Sequence, residues 1–96
     1  MMIGNEQINA KLDKYFAMTE RALQLVALAD DKNLKEQAQD FLSMAKNYFS
    51  DAKHFRSKGD LLTALAAVSY AHAWLDAGAR IGLFKVDNSS NLFTVD

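Results

Sequence analysis

Three side chains that could take part in chemistry recur every four residues in the C-terminal half of the chain: His72, Asp76 and Arg80. On a helix they fall, together with Ser69, within one arc of roughly 80°. A histidine beside a carboxylate could act as a general base, and an arginine fork could bind a carboxylate or a phosphate group. The candidate ligand-binding residues are Tyr70, His72, Asp76 and Arg80.

These residues give little support to catalysis or to metal binding. His72 and Asp76 lack an evident nucleophile, so we assign no catalytic residue and favour a protein that is not an enzyme. His72 and Asp76 could supply two metal ligands, but no other cluster of residues offers the remaining ligands of a site. We therefore expect neither metal nor cofactor. The simplest alternative to a ligand site is a solvated row of i, i+4 pairs on the only polar face of the helix, with Asp76 before Arg80.

The helix that carries these residues is apolar around most of its circumference. A surface helix in a bundle needs only one apolar stripe, so we expect this helix to be covered on most sides. A strip of small residues opposite the polar arc comprises Ala64, Ala67, Ala71, Gly78 and Gly82. Such a strip allows two helices to approach closely, either within the chain or across a dimer. The candidate interface residues are Ala67, Ala71, Trp74, Leu75, Gly78 and Gly82.

Apolar residues at spacings of three and four predict helices over Asn5–Ala29, Leu34–Ser57 and Asp60–Phe84. Gly59 should adopt positive φ after the second helix, and Asp60 should cap the third. Short connections predict an all-α fold, an antiparallel up-down-up three-helix bundle of the spectrin-repeat type over residues 1–84. Residues 85–96 form a C-terminal tail that either packs back on the bundle or stays loose. The predicted core comprises Leu12, Phe16, Leu23, Phe41, Ala45, Phe49, Leu65 and Val68.

Composition narrows the classes of function. The 96 residues make one domain, and the absence of cysteine excludes a disulfide scaffold. A net charge of −1 offers no electrostatic footprint for nucleic acid. The first residues lack the pattern of a secretory signal, and Asp76 and Arg80 would make insertion of the third helix into a bilayer costly. We therefore expect a cytoplasmic protein that binds neither nucleic acid nor membrane.

The segment Phe55–Phe84, FRSKGDLLTALAAVSYAHAWLDAGARIGLF, resembles the signature of an archaeal domain of unknown function, DUF357. The run WLDAGARIG is the most specific part, because it is not a generic amphipathic pattern. The resemblance covers roughly Gln7–Phe84 and implies a small cytoplasmic archaeal three-helix bundle with no established activity. The positions that match are Gly59, Asp60, Tyr70, Ala71, Trp74, Leu75, Asp76, Arg80 and Gly82.

Two functions are compatible with this sequence. The first is a non-catalytic protein-interaction or assembly module in which the third helix contacts a second copy, as a homodimer, or another protein partner. The alternative is a small-ligand protein that binds an anion or phosphate, or an enzyme accessory, through Tyr70, His72, Asp76 and Arg80. A polar pocket at Asp76 and Arg80 would favour the ligand binder, and an exposed apolar patch on the third helix would favour assembly.

Overall fold

The computed structural model describes residues 4–85, which form three helices and a small two-stranded ribbon. The elements are α1 (Asn5–Leu25), β1 (Ala27–Leu28), a 3₁₀ turn (Lys32–Leu34), α2 (Lys35–Ser57), α3 (Leu61–Arg80) and β2 (Phe84–Lys85). Helices α1 and α2 both pack on α3. The predicted all-α three-helix bundle is confirmed. The part of the predicted tail over 86–96 lies outside the described residues.

Two predicted helix ends are wrong, because the chain forms a ribbon where helix was expected. Helix α1 ends at Leu25 rather than Ala29, and α3 ends at Arg80 rather than Phe84. Strands β1 and β2 then pair antiparallel, with Ala27 opposite Lys85 and Leu28 opposite Phe84. The ribbon ties the end of α3 back to the end of α1.

Gly82 ends α3 and turns the chain toward the ribbon. Its φ of 83° lies in the left-handed region that favours glycine. Its N–H donates to the carbonyl of Ala79 at 3.3 Å, and the N–H of Leu83 donates to the carbonyl of Gly78 at 2.8 Å. This is the double hydrogen bond of a Schellman motif, which satisfies the last carbonyls of the helix. Gly82 was predicted to lie inside the helix as part of the small-residue strip.

The turn between α2 and α3 was predicted correctly. Gly59 has a φ of 81°, and its N–H donates to the carbonyl of Arg56 at 3.0 Å. The Oδ1 atom of Asp60 accepts a hydrogen bond from the Thr63 N–H at 3.3 Å. The C′ glycine and the N-cap aspartate therefore both have the predicted geometry.

The core is built from alanines at the closest contacts, with larger side chains around them. Of the predicted core residues, Leu12, Ala45, Phe49 and Val68 are buried. The other four are half-buried and pack against the core: Phe16, Leu23, Phe41 and Leu65. Six alanines are at most 1% exposed: Ala22, Ala38, Ala45, Ala52, Ala64 and Ala71. Because these small residues bring the helix backbones close together, half of the predicted core residues lie nearer the helix edges.

Gly78 is the point where the ribbon meets the bundle. A methyl group built on Gly78 would lie 2.2 Å from the Cε2 atom of Phe84, well inside contact distance. The Phe84 ring is itself only 4% exposed and joins the core cluster that contains Leu75 and Leu83. Because Gly78 has no side chain, there is room for the Phe84 ring at this position.

We predict that Gly78→Ala destabilises the protein by about 1–3 kcal/mol, although alanine is the better helix former. The added methyl group must displace the buried Phe84 ring. In a Phe84→Ala background, which removes that ring, Gly78→Ala should be neutral or stabilising. Urea denaturation of the four proteins measures both effects, and an equal cost in the two backgrounds would contradict this packing.

We predict that Asp60→Ala lowers the stability by about 1 kcal/mol, because the Thr63 N–H loses its acceptor at the start of α3. Asp60→Asn should retain most of the stability, since asparagine is an equally good N-cap. A denaturation midpoint that is unchanged in Asp60→Ala would argue against the cap.

Candidate functional site

The side chain of His72 lies at the contact between α1 and α3. Its Nδ1 atom is 3.0 Å from the Oγ1 atom of Thr19 on α1, within hydrogen-bond distance. Its Nε2 atom is 3.7 Å from Oδ1 of Asp76, one turn further along α3. An Nε2–H tautomer would direct its proton to the carboxylate and leave Nδ1 to accept from the threonine hydroxyl. His72 therefore bridges the two helices.

Thr19 supplies the third member that the sequence analysis did not find, but it is poorly placed for nucleophilic catalysis. The threonine is 1% exposed, so its hydroxyl lies out of reach of a substrate. The side chains of His72 and Asp76 are 17% and 30% exposed. A nucleophile must meet its substrate, so the geometry favours a structural polar contact over a catalytic triad.

The sequence contained a signal for Thr19 that we did not use. The apolar stripe of α1 contains Phe16 and Leu23 but has a gap between them, and Thr19 falls in that gap at a spacing of three and four. A polar residue inside an apolar stripe is buried and needs a hydrogen-bond partner. His72 on the neighbouring helix is that partner.

The four candidate ligand-binding residues do not converge on one site. His72 and Asp76 lie together beside α1, whereas the Tyr70 ring packs against Tyr48 of α2 with 4.7 Å between the ring centroids. Arg80 is exposed in the last turn of α3. No ion pair between Asp76 and Arg80 forms within residues 4–85, so the predicted row of i, i+4 pairs is incomplete.

The face of α3 that meets solvent only partly coincides with the polar arc. The exposed residues of the helix share one side, which we call the exposed face of α3: Leu62, Thr63, Ala66, Ser69, Tyr70, Ala73, Ala77 and Arg80. Leu62 is 67% exposed and Tyr70 is 55% exposed. Arg80 is the only charged residue on this face. The polar arc forms only part of the solvent side of the helix: Ser69 and Arg80 are exposed, whereas α1 partly covers His72 and Asp76.

An open apolar groove runs beside this face, between α2 and α3. It consists of two hollows of about 360 Å³ and about 250 Å³ that meet at Tyr70. The residues that line this α2/α3 groove are Phe41, Tyr48, Asp51, Phe55, Thr63, Ala66, Ala67, Tyr70, Ala73, Trp74 and Ala77. Asp51 is the one charged residue among them. The groove is therefore apolar and aromatic, with a charge at its edge.

Trp74 forms part of the wall of the larger hollow. Its ring meets that of Phe41 edge-on, with centroids 4.9 Å apart and an interplanar angle of 87°. The indole N–H is buried and finds no acceptor within residues 4–85. Trp74 thus contributes through ring packing rather than through a hydrogen-bond network.

Five of the six candidate interface residues divide between the core and the groove, and the sixth, Gly82, lies in the exposed turn that ends α3. Ala71, Leu75 and Gly78 are buried within the chain, so they are not available to a partner. Ala67 and Trp74 are half-buried in the α2/α3 groove. The small-residue strip therefore serves mainly the packing of the chain itself, which was the simpler of its two interpretations.

No group of three or more histidine, aspartate and glutamate side chains within residues 4–85 is arranged to hold a metal ion. None of the helices in the described range is both long enough and apolar enough to cross a membrane.

Comparison with known families identifies the chain. Residues 14–84 match the family model described as a protein of unknown function, DUF357. The match covers most of the chain, and the protein belongs to this family, as the resemblance of its third helix predicted. No curated protein and no solved structure matches it. The archaeal source and the cytoplasmic location stay predictions.

Most residues that carry the resemblance have structural roles in this bundle. Gly59, Asp60 and Gly82 shape the two helix ends, and Ala71 and Leu75 are core residues. Tyr70 and Arg80 instead lie on the exposed face of α3. The family signature is thus largely a signature of the fold.

We predict that Thr19→Val destabilises the bundle by about 1 kcal/mol, because valine keeps the shape and removes the hydroxyl bonded to His72. Thr19→Ser, which keeps the hydroxyl, is the matched control for the hydrogen bond. In a His72→Leu background, Thr19→Val should cost little, since the ring nitrogen is gone. Thermal unfolding of the set measures the coupling, and additive effects would contradict a hydrogen bond that joins α1 to α3.

Proposed function

We propose that this protein is a non-catalytic, cytoplasmic interaction or assembly module that contacts its partner through the exposed face of α3 and the adjoining α2/α3 groove. The observation that carries the proposal is the composition of this surface. Between Thr63 and Ala77 the exposed face holds no charged residue, although it meets solvent. Surface patches of this kind on small proteins often mark interaction sites.

The aromatic side chains of the groove add a second reason. Tyr48 and Tyr70 form one ring pair and Phe41 and Trp74 form another, and both pairs border the hollows. Tyrosine and tryptophan are enriched where proteins bind each other, because they bury a large apolar area while losing few rotamers. The centre of the groove therefore has the chemistry of a binding hot spot.

A small-ligand function through Tyr70, His72, Asp76 and Arg80 has weaker support. A binding site needs its polar groups to converge on one cavity. Tyr70 lies beside α2, His72 bonds to α1, and Arg80 lies at the end of the helix. The two hollows of the α2/α3 groove are apolar rather than polar, which favours a protein partner over an anion or phosphate.

The test is to add a charge on the exposed face and follow partner binding. We predict that Ala73→Glu abolishes binding of at least one partner that the wild-type protein retains in an extract of its source cells, whether that partner is another copy or a different protein. The charge would have to be buried at the contact without a matching group. Ser50→Glu is the matched control, because Ser50 is exposed on α2 and falls on the side of that helix away from the groove.

Both variants place a glutamate at an exposed helical position, so their helical circular dichroism and melting temperatures should stay close to those of the wild type. Identical sets of bound proteins for the wild type, Ser50→Glu and Ala73→Glu would overturn the proposal.

A further inference from the structure

The two long edges of the α2/α3 groove carry opposite charges. On α2, the residues Asp40, Met44, Asn47 and Asp51 recur at spacings of four, three and four, so they share one edge of that helix. Asp51 lines the groove, which places this edge beside it. The lysines of α2 fall on the other side of the helix, where Lys53 packs over the Phe49 ring. The edge along α2 is therefore acidic.

The opposite edge is formed by the exposed face of α3, whose only charge is Arg80. The contact between Tyr48 and Tyr70 shows which residues of the antiparallel helices α2 and α3 lie at the same level along the bundle axis. Asp40 lies eight residues before Tyr48, and Arg80 lies ten residues after Tyr70. At 1.5 Å per residue these positions are about 12 Å and about 15 Å from the tyrosine pair, in the same direction. Asp40 and Arg80 thus mark the same level on opposite edges.

We infer that the occupant of the α2/α3 groove is a second copy of this chain, related by a two-fold axis that runs parallel to the helices. This inference rests on the proposed function and names its partner. In this arrangement α2 of each copy lies over α3 of the other, and the four helices form an antiparallel bundle with the two grooves at its centre. The acidic edge of one copy then faces the exposed edge of α3 in the other.

The charges select this symmetry over the other two-fold arrangement. With the axis parallel to the helices, height along the bundle is preserved, so Arg80 faces Asp40 of the partner subunit, and the pair occurs twice. With the axis perpendicular to the helices, α2 would face α2 of the partner subunit, so the acidic edges of the two copies would lie against each other. Like charges facing each other disfavour that contact, whereas opposite charges guide association.

Sedimentation equilibrium from micromolar to millimolar concentration tests the association. We expect a monomer–dimer equilibrium in which Arg80→Glu and Asp40→Lys each weaken the dimer about tenfold, because each replaces two attractive pairs by two repulsive ones. The double variant Arg80→Glu/Asp40→Lys should restore the wild-type affinity, since both signs are exchanged. Lys46→Glu changes a charge away from the groove and should leave the equilibrium unchanged.

Engineered cysteines test the symmetry independently, because the chain has none of its own. The parallel axis brings Ala73 close to Asn47 of the partner subunit. Mixing the single variants Ala73→Cys and Asn47→Cys should therefore give a mixed crosslinked dimer with a short thiol reagent. The perpendicular axis would instead bring Ala66 close to Ala77 of the partner subunit, so crosslinking of Ala66→Cys with Ala77→Cys would overturn the inferred arrangement.

The inference and the proposed function can fail separately. If the wild-type chain remains monomeric at millimolar concentration, the inference that a second copy occupies the groove is wrong. If the same monomer retains a different protein that Ala73→Glu loses, the interaction module stands with another partner. If neither a dimer nor such a protein is found, both proposals are wrong.

Discussion

The close approach of α1 and α2 to α3 is the constraint on which the rest of this structure depends. Ala64, Ala71 and Gly78 are buried where α3 meets its neighbours, and side chains of this size let helix backbones come near each other. Helices α1 and α2 meet through longer side chains, such as the Phe16–Phe49 ring pair at 5.4 Å between centroids. Because small residues fill the central contacts, aromatic rings are moved outward to the edges, and the α2/α3 groove is a consequence of that displacement.

Small apolar contacts do not by themselves fix how one helix is placed along another. The hydrogen bond between Thr19 and His72 supplies the missing specificity, since a buried hydroxyl is satisfied at only one position of α1 along α3. At the far end of the bundle, the ribbon and the ion pair between Asp30 and Lys85 hold the two helix ends together. The Phe84 ring fills the space left by Gly78, so that end is also fixed by shape. Polar and steric contacts together define the bundle that alanine packing permits.

The features predicted correctly from the sequence are those decided within a few residues. The turn at Gly59 and Asp60 is one, because a C′ glycine and an N-cap aspartate act on the nearest backbone groups. The end of α3 was missed because Gly82 stops the helix only where a ribbon with β1 takes its place, and that pairing joins residues more than fifty positions apart. The partial burial of His72 and Asp76 was missed for the same reason. A helical wheel groups His72 with Asp76, but only Thr19 on another helix shows that the pair faces inward.

Helices α1 and α2 cover two sides of α3, and their contacts explain why those two sides are largely apolar. They do not explain the composition of the third side, which is exposed. A glutamate or lysine at Ala73 would meet water, leave every core contact intact and form helix almost as well as alanine. The contacts among residues 4–85 therefore give no reason for the exposed face to stay uncharged from Thr63 to Ala77. Burial of that face in an assembly gives such a reason, because a charge placed there would lose its hydration without gaining an opposite charge. The residues that stabilise the bundle and the residues that suit its exposed face to association are thus separate sets on the same helix.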